Sequence, residues 1–322
     1  MDRPSADRLI HRLRLRHLEM LVTLAEAGTV RAAAHDLHLS QPAVSKMLAE
    51  TEAVLGARLF ERSHQGVHPT PAGQAAVHRA RVALAELVQA HDEVDAIGRG
   101  TSAVLRVGTF SVTAAVPAAV VRLRRRMPGV SVHLHEDRVR ALIRMLLDGE
   151  LDCVFGALTN ELLDSAQLRQ LNSDVLLEDR LCVLVAEGHP WLRRRGLRWQ
   201  DLAGAAWVAP PRQTLVRQAF MTAFLDAGVD PPEPVIETLS SVTIGAVLRL
   251  DPTLVCAVRH EHLRDELARG GVRQLGVRPE VPLPPLGLFT RRSDVEPLPV
   301  VREFARAVRS AGHSPAPAAR PT

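Results

Sequence analysis

The sequence predicts a chain in two parts. An N-terminal all-α bundle of short helices is closed by a small β-wing and followed by a single long helix; behind it lies an α/β region folded as two lobes. Three observations carry this. Apolar residues recur at helical spacing in three short runs between residues 14 and 55, broken at Gly28 and at His38. No further proline interrupts the stretch from Pro71 to about Ile97. From residue 103 onward, short apolar runs alternate with helical stretches of about 10–15 residues, the pattern of parallel α/β units.

The first helix spans 14–27, with Leu15, Leu18, Val22 and Ala25 on one stripe. Gly28 stops it and Thr29 caps the next, 30–37, whose Val30, Ala33, Ala34 and Leu37 face inward; the small alanines let another helix cross closely. His38 and Leu39 form a tight corner. Ser40 caps the third helix, Pro42 sits in its first turn where a missing N–H costs little, and Gly56 ends it. Ala43, Val44, Met47, Leu48 and Leu55 supply its packing side, which leaves Gln41, Ser45 and Lys46 on the open side.

Two short helices joined by such a corner make a helix-turn-helix, which holds the front of its second helix outward. Gln41 can then read a base edge bidentately, and Ser45 and Lys46 an adjacent edge or a phosphate. Periodicity alone fits equally an unspecialised bundle with one polar side. Residues 57–73, "ARLFERSHQGVHPTPAG", add a Gly-bearing turn between two short strands, a wing ringed by Arg58, Arg62, His64 and His68. Arg58 and Arg62, four apart, are natural phosphate contacts.

In the long helix Val77, Ala80, Leu84, Leu87, His91 and Val94 recur every three or four residues. A helix of roughly 27 residues is about 40 Å long. Its narrow apolar seam suits pairing with a second copy better than lying along its own body. Gly98 and Gly100 make a joint. Strands then fall at 103–110, 130–136 and 151–158, with helices at 114–127 and 138–148 between them. A second set begins at 180–186 and runs through strands 205–210, 234–238 and 252–258 with helices 213–227 and 241–250. Strand 285–291 and helix 298–309 return to the first set, giving two lobes with crossings near 177–180 and 276–284. The tail "SAGHSPAPAARPT" is expected to be disordered.

Composition narrows the class. The 322 residues are 46% hydrophobic and 24% charged, with mean hydropathy +0.02, as in globular domains. Neither a membrane-length apolar stretch nor a secretory segment appears, so the expected location is the cytoplasm. Cys153, Cys182 and Cys256 each sit alone in an apolar run, as buried thiols in a reducing compartment do. The net charge of +4 leans toward polyanion partners, yet residues 1–73 hold nine Arg/Lys against eight Asp/Glu. Placement, not bulk charge, must carry any nucleic-acid claim.

Residues 32–73, "AAAHDLHLSQPAVSKMLAETEAVLGARLFERSHQGVHPTPAG", closely resemble the winged helix-turn-helix signature of LysR-type transcriptional regulators. The paired alanines, Leu37, the run Ser40 to Ser45, Glu52, Leu55-Gly56, Leu59-Phe60, Arg62, Thr70 and Ala72-Gly73 all fall at family spacing. Thr51 and Pro69 stand where the family prefers leucine, departures that bear on a core contact and on the pairing of the wing. The resemblance reaches, more weakly, to about residue 308. It implies a DNA-binding domain (12–70), a dimerising linker helix (71–98) and an effector domain shaped like a periplasmic binding protein (102–308). In that domain, lobe I takes 102–178 and 279–308 and lobe II 179–278; 309–322 form the tail. It also implies DNA contacts from Arg31, Ser40, Gln41, Pro42, Ser45, Lys46, Arg58, Arg62 and His68. Partners are then double-stranded DNA with dyad symmetry, a second copy in a homodimer or homotetramer, and RNA polymerase. Within the family, "AAWVAPPRQT" is most similar to regulators of aromatic-acid or sugar catabolism and uptake.

An effector in open α/β sheets lies beyond the carboxyl ends of strands. Thr109, Ser111 and Thr113 stand there in lobe I, and Arg212, Gln213, Thr214, Ser240 and Ser241 in lobe II. Hydroxyls and free N–H groups at helix starts suit a small anion, and an arginine fork suits a carboxylate. Each hydroxyl serves equally well as an ordinary N-cap.

An enzyme reading finds little. His133, His135 and Glu136 lack a third ligand at tight spacing and read as strand-surface residues; "HEHLRDE" is no zinc motif, and neither a P-loop nor a nucleophile elbow occurs. No cofactor, metal or catalytic residue is expected beyond a small effector. The alternative is a freestanding small-molecule receptor acting through protein partners, which would need no polar-fronted helix or wing.

Overall fold

The structure is a computed structural model that describes residues 12–63, 66–98, 100–110, 114–157, 159, 167, 169–292 and 296–312. The described residues divide into two compact units.

The first unit begins with α1 (Leu15–Ala27), α2 (Val30–Asp36) and α3 (Gln41–Leu55). Thr29 accepts the Ala32 N–H at the start of α2, and Ser40 accepts that of Ala43 at the start of α3. His38 turns the corner with φ 55°, a left-handed conformation in which Leu39 N–H reaches back to the Ala34 carbonyl. Met20, Leu21, Leu24, Ala33, Ala34 and Val44 are buried together, and Leu59, Phe60 and Val67 of the wing close the same core. The wing itself is β1 (Phe60–Ser63) paired antiparallel with β2 (Gly66–Pro69), with Phe60 opposite Pro69. Pro69 therefore ends the ladder without preventing it. Thr51, fully buried, donates its hydroxyl to the Met47 carbonyl at 2.7 Å, which satisfies the polar atom where an apolar side chain was anticipated.

The long helix is α4 (Pro71–Gly98). Val77 and Ala80, expected on a dimer seam, are instead buried in the core formed with α1. Their stripe continues the bundle's own apolar face, so periodicity could not separate the two uses. Farther along α4, Leu87, Val88, Val94 and Ile97 are exposed, as is His91, whereas Leu84 is half-buried.

The remaining chain runs through β3 (Ala103–Thr109), α5 (Ala115–Arg126), β4 (Val130–Glu136), α6 (Val139–Asp148) and β5 (Cys153–Ala157). There follow β6 (Leu171–Ala186), β7 (Leu197–Arg198), β8 (Ala206–Ala209), α7 (Leu215–Asp226), β9 (Ile236–Glu237), α8 (Ser241–Leu250) and β10 (Leu254–Arg259). The chain closes with α9 (His260–Arg269), β11 (Val272–Leu275), β12 (Val277–Arg278), β13 (Val281–Arg291) and α10 (Pro299–Gly312). The main sheet orders them β4-β3-β5-β13-β6-β10-β8-β9, with β11 also on β6; β7 and β12 pair separately. β3 and β5 are parallel, as are β10, β8 and β9, while β6 and β13 run antiparallel to their neighbours and to each other.

Two strands thus carry the chain between sets. β6 pairs with β13 in its first part and with β10 and β11 in its last. The β6–β13 register slips between Leu283 and Leu286, where Pro284 and Pro285 offer no N–H to the ladder. The second set is packed around Trp207, Phe220, Phe224 and Trp199, whose rings meet edge to face at 4.7–5.8 Å. Both indoles place their N–H on a carbonyl, Leu202 at 3.1 Å and Pro279 at 3.0 Å.

Several elements differ from the sequence reading: β7, β11 and β12 were not anticipated and β13 starts earlier, at Val281; three further differences have a physical reason. β6 starts at Leu171, not near 180, because Asp179 does not break the strand: it is buried and paired with Arg259. α9 was not anticipated; its inner face carries Glu261, His262 and Glu266 beside Leu263, so no apolar stripe marks it. α10 continues to Gly312, where the tail was expected from 309, because Ala311 is still buried. Residues 313–322 lie outside the described residues.

Candidate nucleic-acid interface and ligand cleft

The front of α3 is held by its fixtures and left open on its outer side. Gln41, Pro42 and Lys46 are exposed and Ser45 is half-buried, while Val44 anchors the turn at 0% exposure. Ser40 is committed as the cap, at 3.3 Å from the Ala43 nitrogen, so its side chain shapes the turn. The Lys46 ammonium lies 3.9 Å from Glu50, an exposed pair one helical turn apart that is worth a few tenths of a kcal/mol and yields readily to a phosphate.

Flanking basic side chains stand on separate elements. Arg31 is exposed at the start of α2, Arg58 just before the wing, Arg62 on β1 and His68 on β2. None of the three arginines is ion-paired with a described residue. His64 lies outside the described residues.

Side chains that sequence reasoning could not assign a task place the wing. One carboxylate oxygen of Glu52 accepts the N–H groups of Leu59 at 2.7 Å and Phe60 at 3.2 Å, pinning the approach to β1. Thr70 donates its hydroxyl to the Arg58 carbonyl at 2.8 Å and accepts the Gly73 N–H at 3.0 Å, joining wing and α4. At the wing's tip Gly66 has φ 124°, and a Cβ there would lie 2.4 Å from the Gly28 carbonyl oxygen. Val67 N–H bonds that same oxygen at 2.7 Å, so the wing rests on the turn between α1 and α2.

The expected ligand residues are placed more variously. Thr109 is fully buried at the end of β3, and Ser111 and Thr113 lie outside the described residues. Thr214 and Ser240 act as N-caps, accepting from Arg217 and Thr243 at 3.2 Å each. Ser241 contributes its carbonyl to His262 at 3.2 Å. Gln213 is exposed, and Arg212, also exposed, pairs with Glu233, whose other oxygen lies 3.2 Å from the buried Arg217. The arginine fork expected for a carboxylate therefore already holds one.

A cluster that the sequence did not single out joins the two strand sets. Arg259 lies 4.9 Å from the centre of the Phe110 ring and pairs with Asp179 on β6. Asp179 also accepts the N–H groups of Arg180 and His260 at 2.9 and 3.1 Å. Next to it Glu261 accepts the Ala115 N–H at 3.0 Å and pairs with Arg264 at 3.2 Å. Burial raises the Glu261 pKa above the ordinary carboxylate value, against the opposing pull of Arg264 and of the Ala115 N–H. Its only advance signal was a glutamate two residues beyond the end of an apolar strand.

Among the described residues no group of acidic, histidine and cysteine side chains could hold a metal, and no helix is long and apolar enough to cross a membrane. Residues 15–74 match the lysR-family bacterial regulatory helix-turn-helix protein, and residues 98–312 match the LysR substrate binding domain. The chain belongs to the LysR family of transcriptional regulators.

This LysR-family chain is 35% identical over 231 residues to the regulator GbpR of Rhizobium radiobacter, covering 70% of this chain and 75% of that protein. It is 31% identical over 260 residues to the dual regulator OxyR of Escherichia coli K12, covering 79% and 83%. Among solved structures, a full-length OxyR variant from Pseudomonas aeruginosa superposes with TM-score 0.60 at 23% identity, covering 92% of this chain and 97% of that one. Full-length CbnR in complex with its target DNA gives 0.56 at 22% identity, covering 93% and 100%. At these identities the structural likeness concerns the fold. The family and the curated relatives make this protein a DNA-binding transcriptional regulator with an effector-binding domain.

Proposed function

We propose that this LysR-family regulator reads a dyad-symmetric operator through the front of α3 and answers to a small anionic metabolite held between its strand sets. The carrying observation is the capped, outward-facing first turn of α3, with Gln41 and Lys46 exposed and Ser45 half-buried. Gln41 reads a base edge, Ser45 and Lys46 read or anchor beside it, and Pro42 shapes the turn. Arg31, Arg58, Arg62 and His68 contact the backbone. The division at 12–70, 71–98 and 102–308, with lobes meeting near 178 and 279, is the partition we adopt.

Pairing of two copies, as dimer or tetramer, uses the free part of the seam on α4, where Leu87 is 47% exposed, Val94 70% and His91 also exposed. The effector reaches Arg212, Gln213, Thr214, Ser240 and Ser241 at the starts of α7 and α8, with Thr109, Ser111 and Thr113 on the opposite side. Its binding shifts the lobes, and with them the spacing of the recognition helices, without chemistry; contact with RNA polymerase follows from DNA occupancy. The cytoplasm is the compartment that suits these partners. The metabolite class follows the resemblance to regulators of aromatic-acid or sugar catabolism.

The test is binding-site selection from random DNA with the full chain. Gln41→Ala is expected to relax one symmetric pair of operator positions. Unchanged affinity and unchanged base preference in that variant reject the reading role.

A further inference from the structure

Among the described residues, the helix α5 begins without a local side-chain cap. Ala114 occupies the cap position with φ 34° and has no side-chain oxygen to offer. The N–H of Ala115 is nevertheless satisfied, by the Glu261 carboxylate 146 residues away in sequence. Glu261 is 5% exposed and its second oxygen is held by Arg264 at 3.2 Å. Arg264 in turn donates to the Ala311 carbonyl at 2.7 Å, so α9 grips both the start of α5 and the end of α10. A carboxylate at a helix start is where the peptide dipoles favour negative charge. The position an anionic ligand would take at α5 is filled from within the chain.

The other anion-suited place differs in cost. Arg212 and Glu233 form a pair with side chains 61% and 69% exposed, and an exposed pair exchanges partners cheaply. Removing Glu261 from its place breaks its pair with Arg264 and takes the acceptor from a buried N–H, and a second carboxylate beside it meets like charge in a site shielded from water.

We propose that Glu261 is the residue that sets the charge class of the effector at α5: it excludes anionic groups there, so the effector turns an uncharged hydrogen-bonding group toward α5 and its anionic group toward α7 and α8. This rests on the cleft reading above.

The experiment uses the full chain with acetate as the minimal carboxylate and chloride at equal ionic strength as control, read by hydrogen exchange of α5's first turn and by thermal melting. In Glu261→Ala, exchange at Ala115 is expected to rise roughly ten- to hundredfold, the loss of one charge-assisted bond. Acetate, unlike chloride, then restores protection and raises Tm. Wild type and Glu261→Gln, whose side chain still fills the niche, are expected to show no acetate-specific change. Acetate that speeds exchange at Ala115 in the wild type overturns the proposal, because it shows an external anion displacing Glu261. So does an alanine variant that folds and ignores acetate. The wild-type arm decides the matter even if the alanine variant fails to fold. A metabolite that stabilises the protein while protecting surfaces away from the starts of α7 and α8 overturns the cleft reading instead and leaves the acetate result standing.

Discussion

The α-carbon of Gly73 lies so near the Leu59 carbonyl that a Cβ built on it would sit 1.9 Å from that oxygen. The same oxygen accepts the Thr70 N–H at 2.8 Å, so it cannot move away without opening the junction of wing and α4. Gly73→Ala is therefore expected to destabilise the first unit by about 2–3 kcal/mol despite the better helix propensity of alanine. Urea denaturation of wild type and variant checks it; a neutral or stabilising substitution would show that the approach is looser than described.

Glu52 makes a second prediction. It holds two N–H groups that begin the wing, and bonds to a charged acceptor contribute about 1.5–3 kcal/mol each. Glu52→Ala is expected to cost about 2–4 kcal/mol, and Glu52→Gln clearly less, since an amide oxygen can still accept from both. If both variants lose equally, charge rather than bonding geometry is what places the wing.

The wing cations and the front of α3 are expected to separate in salt titrations. Arg58→Ala and Arg62→Ala should weaken operator and random DNA alike, each reducing the slope of log affinity against log salt by about one. Gln41→Ala should keep the slope and lose discrimination by about 1–3 kcal/mol. Fluorescence anisotropy at several salt concentrations resolves the two. A changed slope in the glutamine variant would move Gln41 from reading to anchoring.

The recognition half of this fold was legible because its signals are local. Thr29 and Ser40 are capping residues in capping positions, and Ala33 and Ala34 mark a close crossing. The ligand half was legible only in part. Its determining contacts are long-range and polar: Glu261 to Ala115, Arg259 to Asp179, Arg264 to Ala311. Buried charges resemble surface charges in a sequence, so α9 had no stripe and the strand containing Asp179 was begun only at 180. Arg212 lies exposed in the turn before α7, and its partner Glu233 comes from a loop that no spacing rule connects to it.

The thiols are expected to be inert in the folded chain. Cys153, Cys182 and Cys256 are buried, and burial pushes the Cys182 thiol up to about 12 and raises that of Cys256 as well. At pH 7.5 fewer than about one Cys182 in ten thousand is then thiolate, the reactive form. A disulfide reagent should react stoichiometrically only after denaturation, at the rate of unfolding. A fast phase in the native protein would place at least one thiol outside the core.

Glu261 also predicts how stability depends on pH. Its pKa is raised in the folded chain above the ordinary 4.5, chiefly by burial, so the folded state binds its proton more tightly than the unfolded one. The associated stability is present below about pH 4.5 and is lost as pH rises through the folded pKa. Glu261→Gln keeps the bond to Ala115 without the titration. The unfolding free energy of wild type minus that of the glutamine variant is therefore expected to fall as pH rises from about 4.5, then level off. Arg264, Asp179 and the Arg259 beside it face the same niche, and neither Asp179 nor the arginines are altered in this pair of proteins. Parallel stability curves across pH 4 to 8 would mean that Arg264 fully offsets the burial of Glu261. A difference that grows with pH would mean it more than does so, with the carboxylate at the start of α5 held below its ordinary pKa.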